Sequence, residues 1–385
     1  AILNNLPFSV ILSATQHFLT NELKMPDLSP LITFGCVVAA LVGSAVNVWL
    51  IHGGWSLRGR VVLVCAFQGA SSLALAAATL LKPRAGLAMT MVGVTAIGLG
   101  QAFGETSLIA DLKVIPPALG MWGLGTGLSG LAGPVCYVAM GTLGASDMCV
   151  FLATLGVPVL YWLVFARPSK LLDRAAAQRL MDSSEEHPGE EDGRPGMPRI
   201  GRVIRHTGFV ALNLVLVYSL EYGIYPGMVD VDTRHPPDPS SVLQRNTYAL
   251  AWACYNVGVT VSRFSVNFVQ IRSVWVLTVA QAANYALWLW EARTHRLRDQ
   301  GDPGHAAMLL WMAWVGCLGG AAYANCCYRI NHDAGIPEDV RLMGIPVAFT
   351  LVNVGILVAS VVGISLNASF LHEDGGAHED GAGSG

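Results

Sequence analysis

Apolar residues fall in eleven long runs, near 2–20, 31–51, 61–81, 86–111, 116–142, 148–166, 207–224, 246–268, 274–291, 306–328 and 340–367. A helix needs about 20 predominantly apolar residues to cross a hydrocarbon core of ~30 Å, and each run meets or nearly meets that length. In lipid every backbone N–H and C=O must be bonded within the spanning structure, which leaves helices or closed barrels. A barrel would show short segments of alternating hydrophobicity. These runs are continuous, so they predict an all-α, polytopic membrane helical bundle of eleven transmembrane helices. Several runs are rich in small residues, for example Gly98, Gly100 and Gly104, or Gly316, Gly319 and Gly320, which let membrane helices approach closely.

One interruption differs from the others. Residues 167–205 hold eight Lys/Arg, the acidic runs Glu185-Glu186 and Glu190-Glu191-Asp192, and Pro188, Pro195 and Pro198. That composition predicts a flexible, solvated linker. It divides a six-helix half, residues 1–166, from a five-helix half, residues 206–370, and an acidic tail over 371–385 is expected to be disordered. Loops on the side of 167–205 carry 14 Lys/Arg against 8 on the other side, and the excess comes entirely from 167–205. The positive-inside rule then places the linker in the cytosol. The sequon Asn367-Ala368-Ser369 fits a lumenal end. Two helical halves joined by a cytosolic linker suggest a major-facilitator-like architecture, with a solute site between the halves.

Composition narrows the class. Hydrophobic residues make up 53% of the 385 and charged residues 13%, about half the usual charged share of roughly 25%. A soluble enzyme, a disordered protein and a disulfide-stapled secreted module are excluded. The net charge of -3 gives no basic surface for nucleic acid. The eight cysteines lie mostly within apolar runs and include no CxxC pair, so they read as small hydrophobes rather than as zinc ligands or a disulfide framework. The chain opens on Ala1 rather than Met, so a preceding targeting segment is expected.

Buried polarity carries the functional signal. A charge at mid-membrane costs about 2.5 kcal/mol or more, so such a residue usually faces a cavity or a partner. Glu105 lies well inside the fourth span: either a titrating or solute-binding carboxylate, or an anchor hydrogen-bonded between helices. Glu221-Tyr222 sits near the end of the seventh, before Pro226-Gly227, a pair that suggests a helix break. The alternative there is a solvated interfacial carboxylate. Arg263, among Val259, Val261, Phe264 and Val266, is the anion-binding residue of a solute site, a structural partner of a buried carboxylate such as Glu221, or a side chain snorkelling towards the cytosol past Asn267. Arg suits the first role because its planar fork matches phosphate or carboxylate. Asn4, Asn5, Gln16, His17, Tyr255, Asn256, Tyr323 and Asn325 are further polar candidates, each also explicable as interhelical glue. No P-loop, HExxH, GxSxG or metal-ligand spacing occurs, so neither an enzyme nor a cofactor or metal is expected.

Several segments together resemble the battenin family of lysosomal and vacuolar membrane proteins. They are Leu3-Asn4-Asn5 with Ile11-Leu12-Ser13-Ala14; Gly104-Glu105; Pro116, Trp122, Gly125-Thr126-Gly127, Gly130 and Gly133; Glu221-Tyr222 with Gly227; Tyr255, Gly258 and Ser262-Arg263; and Gly319-Gly320-Ala321-Ala322-Tyr323-Ala324-Asn325. They run in order over nearly the whole chain. The first loop, 21–30, is shorter than in animal members, and the tail lacks the Cys-containing prenylation signal that some members carry.

The resemblance implies a major-facilitator-like fold in the lysosomal or vacuolar membrane, and a part in clearing glycerophosphodiesters from the lumen. The resulting expectation is a secondary carrier for small anionic metabolites. Arg263, Asn4, Asn5, Thr126, Tyr255, Tyr323 and Asn325 would bind the solute, and Glu105 and Glu221 would couple protons. The rivals are a basic amino acid transporter or lumenal pH regulator, and a non-transporting scaffold that recruits cytosolic trafficking proteins through 167–205. The expected partners are thus a small-molecule solute and the lipid bilayer.

Overall fold

The computed structural model describes the backbone of residues 1–112, 116–167, 200–266 and 268–382. Side-chain surroundings are described for these residues other than 48, 52, 109–123, 339, 342 and 369–382. Among them there is no strand. The long helices are α1 (Ile2–His17), α2 (Ser29–His52), α3 (Leu57–Ala78), α4 (Pro83–Leu112) and α5 (Pro116–Thr142). Next come the short α6 (Asp147–Ala153) and α7 (156–167), which together make one span, Asp147–Arg167. The turn between them precedes Pro158, which has no N–H to offer the Thr154 carbonyl; that carbonyl accepts from the Val157 N–H at 2.9 Å instead. The second group is α8 (Ile200–Gly223), the short α9 (Asp230–Thr233), α10 (Val242–Ser265), α11 (Trp275–Thr294), α12 (Asp302–His332) and α13 (Glu338–Ala382). Every predicted span therefore has its helix.

Seven of these segments are long and apolar enough on their own to cross a membrane. Helix α10 falls short, and its burial pattern says why. Its buried face carries Gln244, Thr247, Asn256 and Ser262, while Val257, Val261 and Phe264 are exposed. A helix that turns apolar residues to lipid and polar ones to protein satisfies the polar groups inside the bundle.

The break predicted at Pro226-Gly227 is absent. Helix α8 widens into a π-helical turn over Ile224–Val229 and runs on as α9. Proline lacks an N–H and crowds the carbonyl four residues back, and a π-turn absorbs that misfit without ending the rod. Buried Val203, Thr207, Val210, Leu214, Val217 and Glu221 recur every three or four residues along α8. The stripe that docks α8 on its neighbours thus also carries Glu221 into the protein.

Helices α1–α7 pack mainly among themselves, as do α8–α13; the two groups meet where α5 lies along α10 and α2 along α13. Most of the expected linker, 168–199, lies outside the described residues. Residues 200–205 belong instead to the first turns of α8, with Arg202 and Arg205 exposed and Val203 buried. The tail expected to be disordered from 371 continues α13 to Ala382, since extending an existing helix needs no new nucleation. The sequon is also corrected: Asn367 is fully buried and donates to Asp230 Oδ2 at 3.1 Å, so it is closed to glycosylation in this conformation.

Candidate functional site

Two polar rungs join α8 to α10. In the first, the Tyr255 hydroxyl donates to Glu221 Oε2 at 2.8 Å. Glu221 is 2% exposed, and its Oε1 is buried without a hydrogen-bond partner. The carboxylate lies against the bare backbone of Gly319 on α12, where a Cβ would overlap it. This excludes the solvated interfacial carboxylate.

The second rung lies one helical turn away, about 6 Å along α12. There Arg263 Nη2 donates to the Tyr218 hydroxyl at 3.2 Å, and Nη1 donates to Thr126 Oγ1 at 3.4 Å. The guanidinium carbon sits 4.0 Å from the centroid of the Tyr323 ring, which stacks in turn on Phe349. Arg263 Nε is buried without a partner. Among the described residues no carboxylate is in ion-pair contact with Arg263, so Glu221 is not its structural counter-ion. Its neighbours are hydroxyls and a π face. Such a cation, held by neutral groups in low dielectric, retains unspent attraction for an anion.

Of the predicted residues, Arg263, Thr126 and Tyr323 come together, and Glu221 with Tyr255 lies one turn away. Thr126 sits on α5, so this cluster spans both helical groups. Glu105, half-buried on α4, has its charge within electrostatic reach of Tyr323. Asn4 and Asn5 form a separate set: Asn4 Nδ2 donates to the Gln101 carbonyl at 3.0 Å, and Gln101 Nε2 donates to Asn5 Oδ1 at 2.6 Å. Asn325 is committed to backbone. It receives the Ile271 N–H on Oδ1 at 2.6 Å and donates to the Ala321 carbonyl at 2.8 Å, which fixes the segment after α10. Both polar atoms of the Asn325 side chain, an expected solute contact, are thus bonded to backbone in this conformation.

Tyr218 was missed, although it lies three residues before Glu221, on the same helical stripe. Close helix approach frames the cluster. On α5, Gly127 faces Thr260 and Gly130 faces Asn256, both on α10, with no room for a Cβ at either glycine. Two apolar grooves, about 450 Å³ beside Phe67, Met91 and Leu99 and about 280 Å³ beside Ile2, Leu124 and Val164, include neither Arg263 nor Glu221. Glu221 and Tyr255 are buried, while Arg263, Thr126, Tyr218 and Tyr323 are each partly exposed.

The family model described as "CLN3 protein" matches residues 1–207 and 199–372. Battenin of Dictyostelium discoideum is 26% identical over 400 residues, covering 96% of this chain and 92% of that protein. Protein BTN1 of Chaetomium globosum is 23% identical, covering 95% of this chain and 85% of that protein. Among solved structures, a bacterial homologue of the human lysosomal transporter Spinster, in an inward-facing and unoccupied conformation, matches with a TM-score of 0.59. It covers 99% of this chain and 84% of that one, at 18% identity. The fold is therefore of the same two-group helical kind.

Proposed function

This chain belongs to the CLN3 protein family, and from that premise, which with the fold supports a membrane transporter role, we propose that it is a secondary carrier for small phosphodiester anions in a lysosomal or vacuolar membrane. One observation carries the reading: the Arg263 guanidinium lies at the junction of the two helical groups with hydroxyl and ring partners and, among the described residues, no carboxylate in ion-pair contact. A phosphodiester has one permanent negative charge and hydroxyl-bearing arms. Arg263 takes the charge; Tyr218, Thr126 and Tyr323 meet the polar arms. Glu221, one turn deeper, is the proton-coupling residue, with Glu105 facing the same space from α4. Rocking of one group on the other along α5 and α10 gives alternating access.

The test uses the full chain in vesicles with a labelled glycerophosphodiester. Arg263→Ala lowers uptake about 10- to 100-fold, the loss expected for hydrogen bonds to a charged group. Unchanged uptake rejects the assignment. The basic amino acid reading draws on the unpartnered Glu221 Oε1, an acceptor for an ammonium group. Competition by lysine or arginine, rather than by phosphodiesters, would favour it.

A further inference from the structure

A second polar centre lies at the opposite end of the bundle, on the face away from residues 167 and 200. It gathers around the end of the α8–α9 rod, a segment the sequence pattern assigns to a loop. Asp230 is fully buried, and its Oδ2 receives Arg234 Nη2 at 2.5 Å and Asn367 Nδ2, from α13, at 3.1 Å. Held this way, the same Arg234 nitrogen also reaches across to the Pro26 carbonyl of the first helical group at 2.9 Å. From α1, Gln16 Nε2 crosses in the other direction, donating to the Asp230 carbonyl at 2.8 Å and to Thr233 Oγ1 at 2.9 Å. Close packing continues beside it, where a Cβ added to Gly363 would come within 3.2 Å of the Pro30 ring.

The two ends of the bundle are therefore closed differently. At the distal end, three hydrogen bonds of 2.8–2.9 Å run between the helical groups. Away from that end, the side-chain bonds between the groups among the described residues are longer: Trp252 Nε1 donates to Ser9 Oγ at 3.3 Å, and Arg263 Nη1 donates to Thr126 Oγ1 at 3.4 Å. We propose that Asp230, Arg234 and Gln16 form the latch of the distal gate: Arg234 and Gln16 are the crossing donors, and Asp230 is the positioning residue that aims Arg234 at Pro26. The α8–α9 rod, stiff through its π-turn, transmits the latch to Glu221, two to three turns away on the same rod. Opening the distal mouth requires all three crossing bonds to break, while the Asp230–Asn367 bond stays within one group. The latch presupposes two groups that move, and no particular solute.

Spin labels at Asn21 and Pro239, exposed positions on the distal face of either group, report the gate in the full chain with its native cysteines replaced. The parent protein gives a single short distance. Gln16→Ala and Arg234→Gln each raise the long-distance population about tenfold or more, as expected for lost hydrogen bonds to a charged or buried group. Asp230→Asn, which keeps the shape and removes the charge, follows Arg234→Gln. Gln16→Ala lies outside the Asp230–Arg234 pair and keeps the test decisive if the Asp230 variant fails to fold. Unchanged distances in Gln16→Ala and Arg234→Gln overturn the latch. So does broadening without a longer component. The measurement needs no solute, so its outcome is independent of whether Arg263 binds a phosphodiester.

Discussion

Arg234 and Arg263 both sit between membrane helices in this protein, and they are kept in opposite ways. Arg234, at the distal end, has a buried carboxylate, Asp230, at 2.5 Å and a backbone acceptor at 2.9 Å. Arg263, nearer the other end, has two hydroxyls and a tyrosine ring. Burying a charge is offset only when its partners satisfy it. Each keeps a buried Nε without a partner, but the charge of Arg234 is met by a carboxylate of the protein, so its work is structural or mechanical. Arg263 is left incomplete, which is the condition a solute anion can complete. The contrast separates a residue that holds the fold from one that awaits a ligand, although composition treats them alike.

The contrast can be broken most directly by stability. Removing one partner of a buried pair leaves an uncompensated charge and costs about 3–5 kcal/mol. Arg234→Met should therefore lower the thermal midpoint of the purified protein strongly. Arg263→Met removes a cation that is in ion-pair contact with no carboxylate among the described residues, and should leave the midpoint unchanged or higher. Equal losses in both variants would erase the distinction. A smaller effect sharpens it within the Arg263 centre. Gly319→Ala puts a methyl group where the Glu221 carboxylate lies, and should reduce flux about tenfold through a displacement of a few tenths of an ångström or more. A fall in stability without loss of flux would assign Gly319 to packing alone. Glu221→Gln should abolish the pH dependence of flux while solute binding at Arg263 persists; a retained pH profile would move proton coupling to Glu105. The smallest effect belongs to Asn325→Ala, which should cost about 1–3 kcal/mol of stability through an unpaired Ile271 N–H and leave solute preference unchanged in a competition assay.

Much of this fold is legible in the chain because lipid imposes a simple rule. Long apolar runs must be helices, and each of the eleven found its helix. The cost of buried charge also selected Arg263 and Glu221 correctly as residues inside the protein. The misses have physical causes. Pro226-Gly227 looks like a stop, but a π-turn carries the rod past it, so Asp230, Asp232 and Arg234 were hidden in an apparent loop. Tyr323 and Asn325 stand two residues apart in one motif, yet a helix turns about 200° between such positions. One therefore meets Arg263 and the other meets the backbone at Ile271. Tyr218 carries no burial cost that hydropathy can register, and only its spacing from Glu221 gives it away.

The central claim is that the guanidinium of Arg263, in ion-pair contact with no carboxylate among the described residues, is an anion site, and ligand-induced stabilisation tests it at equilibrium. A ligand that binds the folded state at 100 times its Kd raises stability by about 2.7 kcal/mol. Purified full-length protein should gain thermal stability with rising glycerophosphodiester concentration and gain none from glycerol, while Arg263→Met, folded to the same degree, should show no gain. An equal gain in the Arg263→Met protein would contradict the account.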